Sequence, residues 1–181
     1  MQVKKANLPN DSTLSLNTTH YHYIDSYEGE FYDKENTISS TEVGKAFFMN
    51  TPKWIQRLFT LRNKIVSIIG LKTPDKISNR QKLLNDFKCE PGEQLGLFKV
   101  YEKTAQEVVL GEDDKHLDFR VSLYVNSNTN KSQTKKLIIS TTVTFNNWLG
   151  RLYFLPVKPF HQLIVPTMLK GILKNIEKQI N

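Results

Sequence analysis

The stretch from residue 146 to residue 180 constrains the fold of this chain more than any other. Apolar residues recur there at every fourth position, a spacing that places them on one side of an α-helix. A second apolar set lies beside the first, so the helix must be covered on more than one side. The first set is Phe160, Ile164, Met168, Ile172, Ile176 and Ile180, and the second is Val165, Leu169 and Leu173.

Two prolines in this stretch predict where the helix starts and bends. A proline inside a helix removes one backbone hydrogen bond and costs about 3 kcal/mol. We therefore predict a helix start near Pro159 and a kink or a restart near Pro166. The aromatic-rich sequence before Pro159 is predicted to be extended.

Two-residue alternation marks the strands that can cover this helix. Apolar and polar side chains alternate from residue 116 to residue 125 and again from Leu137 to Phe145. The polar run from Asn126 to Lys135 between them predicts a long hairpin turn, and Gln94–Glu102 and Ala105–Leu110 are also strand-like. In the first alternating strand, Leu117, Phe119, Val121, Leu123 and Val125 are predicted to face inward, and His116, Asp118, Arg120, Ser122 and Tyr124 to face solvent.

The first half of the chain combines one strand with helices. We predict a loose polar leader at residues 1–13 and a strand from Thr18 to Ser26, interrupted near Gly29. Ser39 and Glu42 have the spacing of a capping box, which predicts a short helix after them.

A second helix is predicted to follow directly. Thr51 and Pro52 suit its first positions, and Gly70 suits its C-terminal cap. The order is then strand, two consecutive helices, antiparallel strands and a long helix. This order predicts an α+β fold of the helix-grip (Bet v 1-like) type, a single domain over residues 1–181 in which a curved antiparallel sheet wraps around the C-terminal helix.

The charge of the chain is basic but dispersed. Lysine and arginine number 25 against 18 acidic residues, a net charge of +7. Most of the basic residues are scattered, so we predict no nucleic-acid partner. Only Lys170, Lys174 and Lys178 share one helical face. An anionic lipid surface or another protein is a possible partner for that face.

Cysteine content and hydropathy favour a cytoplasmic protein. Cys89 is the only cysteine, which excludes an intramolecular disulfide and a CxxC site. A chain that folds without disulfides suits a reducing compartment. The N-terminus has no apolar segment of the secretory type, and the most apolar window, residues 152–169, contains Lys158, His161 and three prolines. We therefore predict no transmembrane segment.

Three segments carry a resemblance to a known family. They are EVGKAFFMNTPKWIQRLFTLRNKIVSIIGLK (42–72), HLDFRVSL (116–123) and GRLYFLPVKPFHQLIV (150–165). With Asp25 in the first strand, they resemble the bacterial family catalogued as domain of unknown function 2867, over roughly residues 20 to 172. The matching positions are Asp25, Thr51, Pro52, Trp54, Leu61, Arg62, Asn63, Gly70, Leu71, His116, Asp118, Phe119, Arg120, Gly150, Arg151, Pro159, Phe160 and His161.

The resemblance implies a function class rather than a reaction. The family is similar to the broad helix-grip group, whose members bind lipids, sterols, polyketides or other apolar molecules in a central cavity. Some members of that group are cyclases or hydrolases. The resemblance carries over no catalytic residue and no cofactor.

The leading hypothesis is therefore a pocket for a small apolar ligand between the sheet and the C-terminal helix. Its candidate residues are Arg120, Arg151, His161 and Met168. For each polar residue a structural role is the alternative: an ion pair for either arginine, and a backbone hydrogen bond for His161.

Two other functions remain open at this point. An enzyme of the cyclase or hydrolase type would use the same cavity, with His116, Asp118 or His161 as acid or base. A basic interaction module would use the three C-terminal lysines. His20 and His22 lie on one side of a strand and, with His116 and Asp118, are possible metal ligands, but the HxH pattern is weak and no metal site is predicted.

Overall fold

The computed structural model describes residues 2–49, 52, 54, 55, 57, 60, 84–127 and 133–180, of which residues 127, 179 and 180 by their backbone only. The described chain has an α+β architecture, in which a curved antiparallel sheet packs against a long C-terminal helix. Its elements are β1 (Val3–Ala6), a 3-10 helix (Thr13–His20), β2 (Tyr23–Tyr32), α1 (Ser40–Met49), β3 (Gln94–Leu95), β4 (Phe98–Lys103), β5 (Glu107–Asp113), β6 (Leu117–Ser127), β7 (Thr134–Phe145) and α2 (Trp148–Ile180).

The sheet has seven strands in the order β1-β2-β7-β6-β5-β4-β3, and every neighbouring pair is antiparallel. The predicted hairpin is confirmed as β6 and β7, in which Leu117 pairs with Phe145 and Val125 with Leu137. A register shift between Val100 and Glu102 marks a bulge in the β4–β5 pairing. Bulges bend and twist a sheet, which helps this one to curve around α2.

The N-terminal residues are not a loose leader. Val3–Ala6 form β1, which pairs with the middle of β2 because β2 would otherwise be an edge strand with unpaired backbone groups. The predicted strand at residues 18–26 is also misplaced, since residues 13–20 form the 3-10 helix and β2 starts at Tyr23. Gly29 does not interrupt β2. It leaves room for the helix, because a Cβ there would lie only 2.5 Å from Leu173 Cδ1.

The outer side of the sheet is partly covered rather than solvated. Ser122 and Tyr124, predicted to face solvent, are buried. The segment that leads into the 3-10 helix lies over this part of the outer face, where Ser12 donates a hydrogen bond of 2.5 Å to Glu107, and Ser122 donates to the same carboxylate. Local alternation identified the outer face correctly but did not indicate that a segment distant in sequence would cover it.

The capping box at the start of α1 is confirmed. The backbone N–H of Ser39 donates to Glu42 Oε2 (3.1 Å), and the N–H of Thr41 donates to Ser39 Oγ (3.2 Å). Most of the second helix predicted between Thr51 and Gly70 lies outside the described residues.

Helix α2 differs most from its prediction. It is continuous from Trp148 to Ile180 and contains Pro156, Pro159 and Pro166, so the aromatic-rich sequence before Pro159 is helical and the helix does not restart. Each proline deprives the carbonyl four residues earlier of its donor. Two of these carbonyls belong to Leu152 and Leu155, exposed residues at which water can replace the missing donor.

The C-terminal half of α2 forms the centre of the core. The side chains of Leu169, Ile172, Leu173 and Ile176 are fully buried against the sheet and α1. In the described part of the chain, no helix combines the length and the apolar character needed to cross a membrane.

A candidate ligand site between the sheet and the C-terminal helix

A cavity of about 320 Å³ lies between the inner face of the sheet and the N-terminal half of α2. Its walls come from β6, β7 and α2, with Phe47 of α1 and Phe98 of β4 at one end. All lining side chains are apolar except those of Thr141, Tyr153 and His161. Phe160 lines the cavity and is half exposed, so the cavity reaches the surface beside this ring.

Helical spacing explains the wall that α2 contributes. Phe154, Val157, His161, Ile164 and Met168 all line the cavity, and they follow one another at intervals of three or four residues. The same periodicity that predicted an apolar helix face therefore produces one side of the site.

Aromatic rings close the two ends of the cavity. At one end Phe98 packs edge-on against Phe47 and Phe119, with ring centroids 5.4 and 5.8 Å apart. At the other end Phe154 packs against Tyr23 at 4.9 Å and against Phe145 at 5.5 Å. At each end, rings from the sheet pack against a ring from a helix. These ring contacts hold α2 away from the sheet and leave the cavity between the two ends.

A small polar group formed by Tyr23, Asp25, Thr141 and His161 adjoins this apolar wall, and Thr141 and His161 are the members that line the cavity. Asp25 and Thr141 are directly opposite each other in the β2–β7 pairing, so their side chains share one face of the sheet. Both are buried, and Tyr23 Oη donates a hydrogen bond of 2.7 Å to Asp25 Oδ2. Three buried atoms of this group have no hydrogen-bond partner among the described residues: Asp25 Oδ1, Thr141 Oγ1 and His161 Nε2.

Burial and the Asp25 charge together control proton binding in this group. Burial lowers the pKa of His161 below its usual 6.5, and the Asp25 charge opposes this shift without cancelling it. Burial also raises the pKa values of Tyr23 and Tyr27, and Asp25 raises both further. At neutral pH the imidazole and both phenols are therefore uncharged.

Comparison with known proteins agrees with the resemblance in the sequence. Residues 18–168 match the family described as protein of unknown function (DUF2867). The chain belongs to this family. No curated protein and no solved structure matches the chain. The DUF2867 match extends from the 3-10 helix into α2, so it includes Asp25, Thr141 and His161.

Of the four site residues predicted from the sequence, the structure brings two together. His161 and Met168 line the cavity. Arg120 lies on the opposite face of the sheet, in a polar cleft of about 570 Å³, where its guanidinium is 2.6 Å from Asp113 Oδ1 and 3.5 Å from the ring centre of Tyr101. Arg151 is exposed at the start of α2, and its guanidinium is 5.7 Å from the ring centre of Phe145.

The sequence did not predict two residues of this candidate site. Asp25 was noted only as a family position, and Thr141 only as one member of an alternating strand. The sequence does contain a signal for Thr141. It is a polar residue at an inward-facing position of an alternating strand, in line with Leu137, Ile139 and Val143. Nothing local indicated that Asp25 would lie beside it.

His116 and Asp118 lie at the start of β6, an interior strand of the sheet, and both make hydrogen bonds within the fold. His116 Nδ1 is 3.1 Å from Asn147 Oδ1, and Asp118 Oδ1 accepts hydrogen bonds from the Asp114 N–H (3.1 Å) and from Asn146 Nδ2 (3.0 Å). These contacts tie the β5–β6 turn to the start of α2. Neither residue lines the cavity.

The remaining candidates for chemistry in the DUF2867 chain lie apart from the cavity. His22 Nδ1 accepts a hydrogen bond from the Phe145 N–H (3.1 Å). Within the residues that the structure describes, no three side chains of His, Cys, Asp or Glu are grouped in a way that could hold a metal ion. Burial raises the pKa of Cys89 to about 12, which keeps this thiol protonated and a poor nucleophile.

Proposed function

We propose that this protein is a helix-grip protein that binds a small, largely apolar molecule in the cavity between the sheet and α2. One observation carries the proposal: an apolar cavity of about 320 Å³ that reaches the surface beside Phe160. Protein interiors are packed about as densely as organic crystals, so a space of this size is not a packing defect. It also lies within the range of known small-molecule sites, roughly 300–1,000 Å³.

Burial of apolar surface gives such a ligand only part of its affinity. A molecule that buries about 300 Å² of apolar surface gains about 7 kcal/mol. Association costs at least about 4 kcal/mol in lost translational and rotational freedom, so the remainder corresponds to roughly millimolar binding. Tighter binding requires polar contacts, for which Thr141 and His161 are the available groups on the cavity wall.

We expect Ile164→Trp to weaken binding of a neutral apolar probe at least tenfold, because the indole would occupy the cavity. Ile164 lines the cavity and is only partly buried, so the fold can accommodate a larger side chain there. Fluorescence titration with N-phenylnaphthylamine measures the affinity. The control is Leu163→Trp, which adds the same indole at a mostly exposed position that does not line the cavity. Equal affinities of the two variants would contradict a ligand site in this cavity.

A second candidate function is docking on an anionic lipid surface. The outer side of α2 carries Trp148, Leu152, Leu155 and Leu163, all more than half exposed. Lys170 is two helical turns beyond Leu163, on the same side, and is also exposed. Large exposed apolar side chains next to lysines are typical of helices that lie in a membrane interface.

We expect the parent protein to sediment with vesicles that contain phosphatidylglycerol and to bind phosphatidylcholine vesicles less. The double variant Leu155→Ser, Leu163→Ser is expected to lose most of this binding, because the helix then presents little apolar surface. Leu16→Ser is the control, since Leu16 is even more exposed but lies in the 3-10 helix, away from α2. Vesicle binding that the double variant leaves unchanged would exclude this surface.

A further inference from the structure

One oxygen of the buried Asp25 carboxyl group lacks, within the described part of the chain, the hydrogen bond that both oxygens of two other buried carboxylates have. Both oxygens of Glu107 and both oxygens of Asp33 accept hydrogen bonds within the protein. Asp25 is equally buried, and the phenols of Tyr23 and Tyr27 are hydrogen-bonded to its carboxyl group, yet its Oδ1 has no partner among the described residues. A buried polar atom without a partner destabilises a fold, and this chain avoids that situation at its other two sites. The open oxygen of Asp25 therefore suggests a partner that the described residues do not supply.

Two further open atoms lie next to it. Thr141 lines the cavity, and its side chain stands on the same sheet face as that of Asp25, in the neighbouring strand. His161 approaches from α2, with its ring centre 5.9 Å from that of Tyr23, the residue that binds Asp25. The three open atoms thus come from β2, β7 and α2. Thr141 and His161 line the cavity, and Asp25 lies beside them, directly behind the cavity wall.

The hydrogen-bonding capacity of these three atoms restricts which polar group of a ligand can bind to them. A carboxylate oxygen accepts hydrogen bonds, whereas a threonine hydroxyl and a neutral imidazole nitrogen can each donate or accept. A ligand hydroxyl can donate to Asp25 and still accept from Thr141 or His161. A ligand carboxylate would bring a second negative charge next to Asp25 in surroundings where charges are poorly screened. An ether oxygen would leave Asp25 without a donor.

We propose that the cavity is selective for apolar alcohols, whose hydroxyl group donates to Asp25 Oδ1 and is further held by Thr141 Oγ1 and His161 Nε2. This inference rests on the proposed function, because it assumes that the cavity holds an apolar ligand. It adds the chemical class of that ligand and the residues that recognise its polar group.

Three probes, each with a ten-carbon chain, test the selectivity: decanol, methyl decyl ether and decanoate. Each is titrated as a competitor of N-phenylnaphthylamine bound to the full-length protein. We expect decanol to bind about tenfold more tightly than the ether, the ratio that one net hydrogen bond provides. Decanoate is expected to bind more weakly than decanol, because of its charge.

Two variants test whether Thr141 and Asp25 bind the ligand hydroxyl. Thr141→Val keeps the shape of the side chain and removes a hydroxyl that has no partner among the described residues, so it is expected to fold. It is expected to bind both decanol and the ether more weakly than the parent does, because the Thr141 hydroxyl can donate to the oxygen of either ligand. Thr142→Val is its matched control, because Thr142 is equally buried in the same strand but faces the opposite side of the sheet. Asp25→Asn removes the negative charge and is expected to bind decanoate more tightly than the parent does. Its amide can also donate to an ether oxygen, so its preference for decanol over the ether should shrink.

The possible outcomes test the alcohol inference separately from the proposed function. If the parent binds decanol and the ether equally, or if Asp25→Asn keeps the full preference of the parent for decanol, the alcohol inference is wrong while the apolar site stands. A preference of the parent for decanoate also overturns the inference. If neither N-phenylnaphthylamine nor any decyl compound binds, the proposed function fails and the inference fails with it.

Discussion

The Asp33→Asn variant is expected to lose about 3–5 kcal/mol of unfolding free energy. The Asp33 side chain is fully buried, and its Oδ2 lies 2.6 Å from Nζ of Lys135, which is itself 9% exposed. The backbone N–H groups of Thr37 and Ile38 also donate to this carboxylate, each at 3.0 Å. The variant leaves the Lys135 ammonium buried without its counter-charge, and this accounts for most of the expected loss.

Urea denaturation of the parent and of two further variants checks this expectation. Asp113→Asn is the control, because the Asp113–Arg120 ion pair has the same 2.6 Å separation but an Asp113 side chain that is 56% exposed. An exposed pair contributes about 1 kcal/mol or less. The double variant Asp33→Asn, Lys135→Met should regain stability, since it removes both charges. A loss at Asp33 no larger than that at Asp113 would contradict a stabilising role for the buried pair.

The same pair predicts the response to acid. Burial by itself would raise the pKa of Asp33, but Lys135 and the backbone N–H groups of Ile38 and Thr37 outweigh this effect and lower it below 3.8. A carboxyl group with a lowered pKa stabilises the fold at pH values above its unfolded pKa, and this contribution is lost as the pH falls through the folded pKa. The stability advantage of the parent over Asp33→Asn should therefore be constant above about pH 5 and shrink below pH 3.8.

The Gly150→Ala variant is expected to lose about 3 kcal/mol, which is the opposite of what helix propensity predicts. Alanine is favoured over glycine inside a helix by about 1 kcal/mol. At Gly150, however, a Cβ would overlap the backbone carbonyl oxygen of His116 and lie 3.4 Å from Leu117 Cβ. Leu117 is paired with Phe145 in the sheet, so the start of α2 would have to move instead.

Thermal and urea denaturation distinguish the two expectations. The steric overlap predicts a lower unfolding free energy for Gly150→Ala, whereas helix propensity predicts a higher one. Leu149→Ala serves as control, because Leu149 is the preceding residue of the same turn and is partly exposed. It should change the unfolding free energy by less than about 1 kcal/mol. A displaced α2 would also shift Phe154, so weaker binding of N-phenylnaphthylamine should accompany the loss of stability. A stabilised Gly150→Ala variant would show that the helix start tolerates the movement.

Elements whose residues interact locally were predictable from the sequence. Alternation predicted the β6–β7 hairpin and the inward position of Val121 and Leu123, because neighbouring side chains on a strand point to opposite faces. The capping box at Ser39 and Glu42 was correct for the same reason, since its donors and acceptors lie within four residues of one another. The four-residue spacing in α2 correctly predicted the buried face at Met168, Ile172 and Ile176.

Contacts between distant segments were decided only by the tertiary structure. Val3–Ala6 have no strand pattern of their own and become β1 because β2 offers them an unpaired edge. The prolines of α2 predicted a helix start near Pro159 and a kink or restart near Pro166. Exposed positions let the helix begin earlier and continue through them, since water can satisfy the freed carbonyls. The candidate site is the strongest case. Asp25, Thr141 and His161 are far apart in the chain. Only the pairing of β2 with β7 and the packing of α2 bring the open atoms of Thr141 and His161 to one cavity, with that of Asp25 beside them.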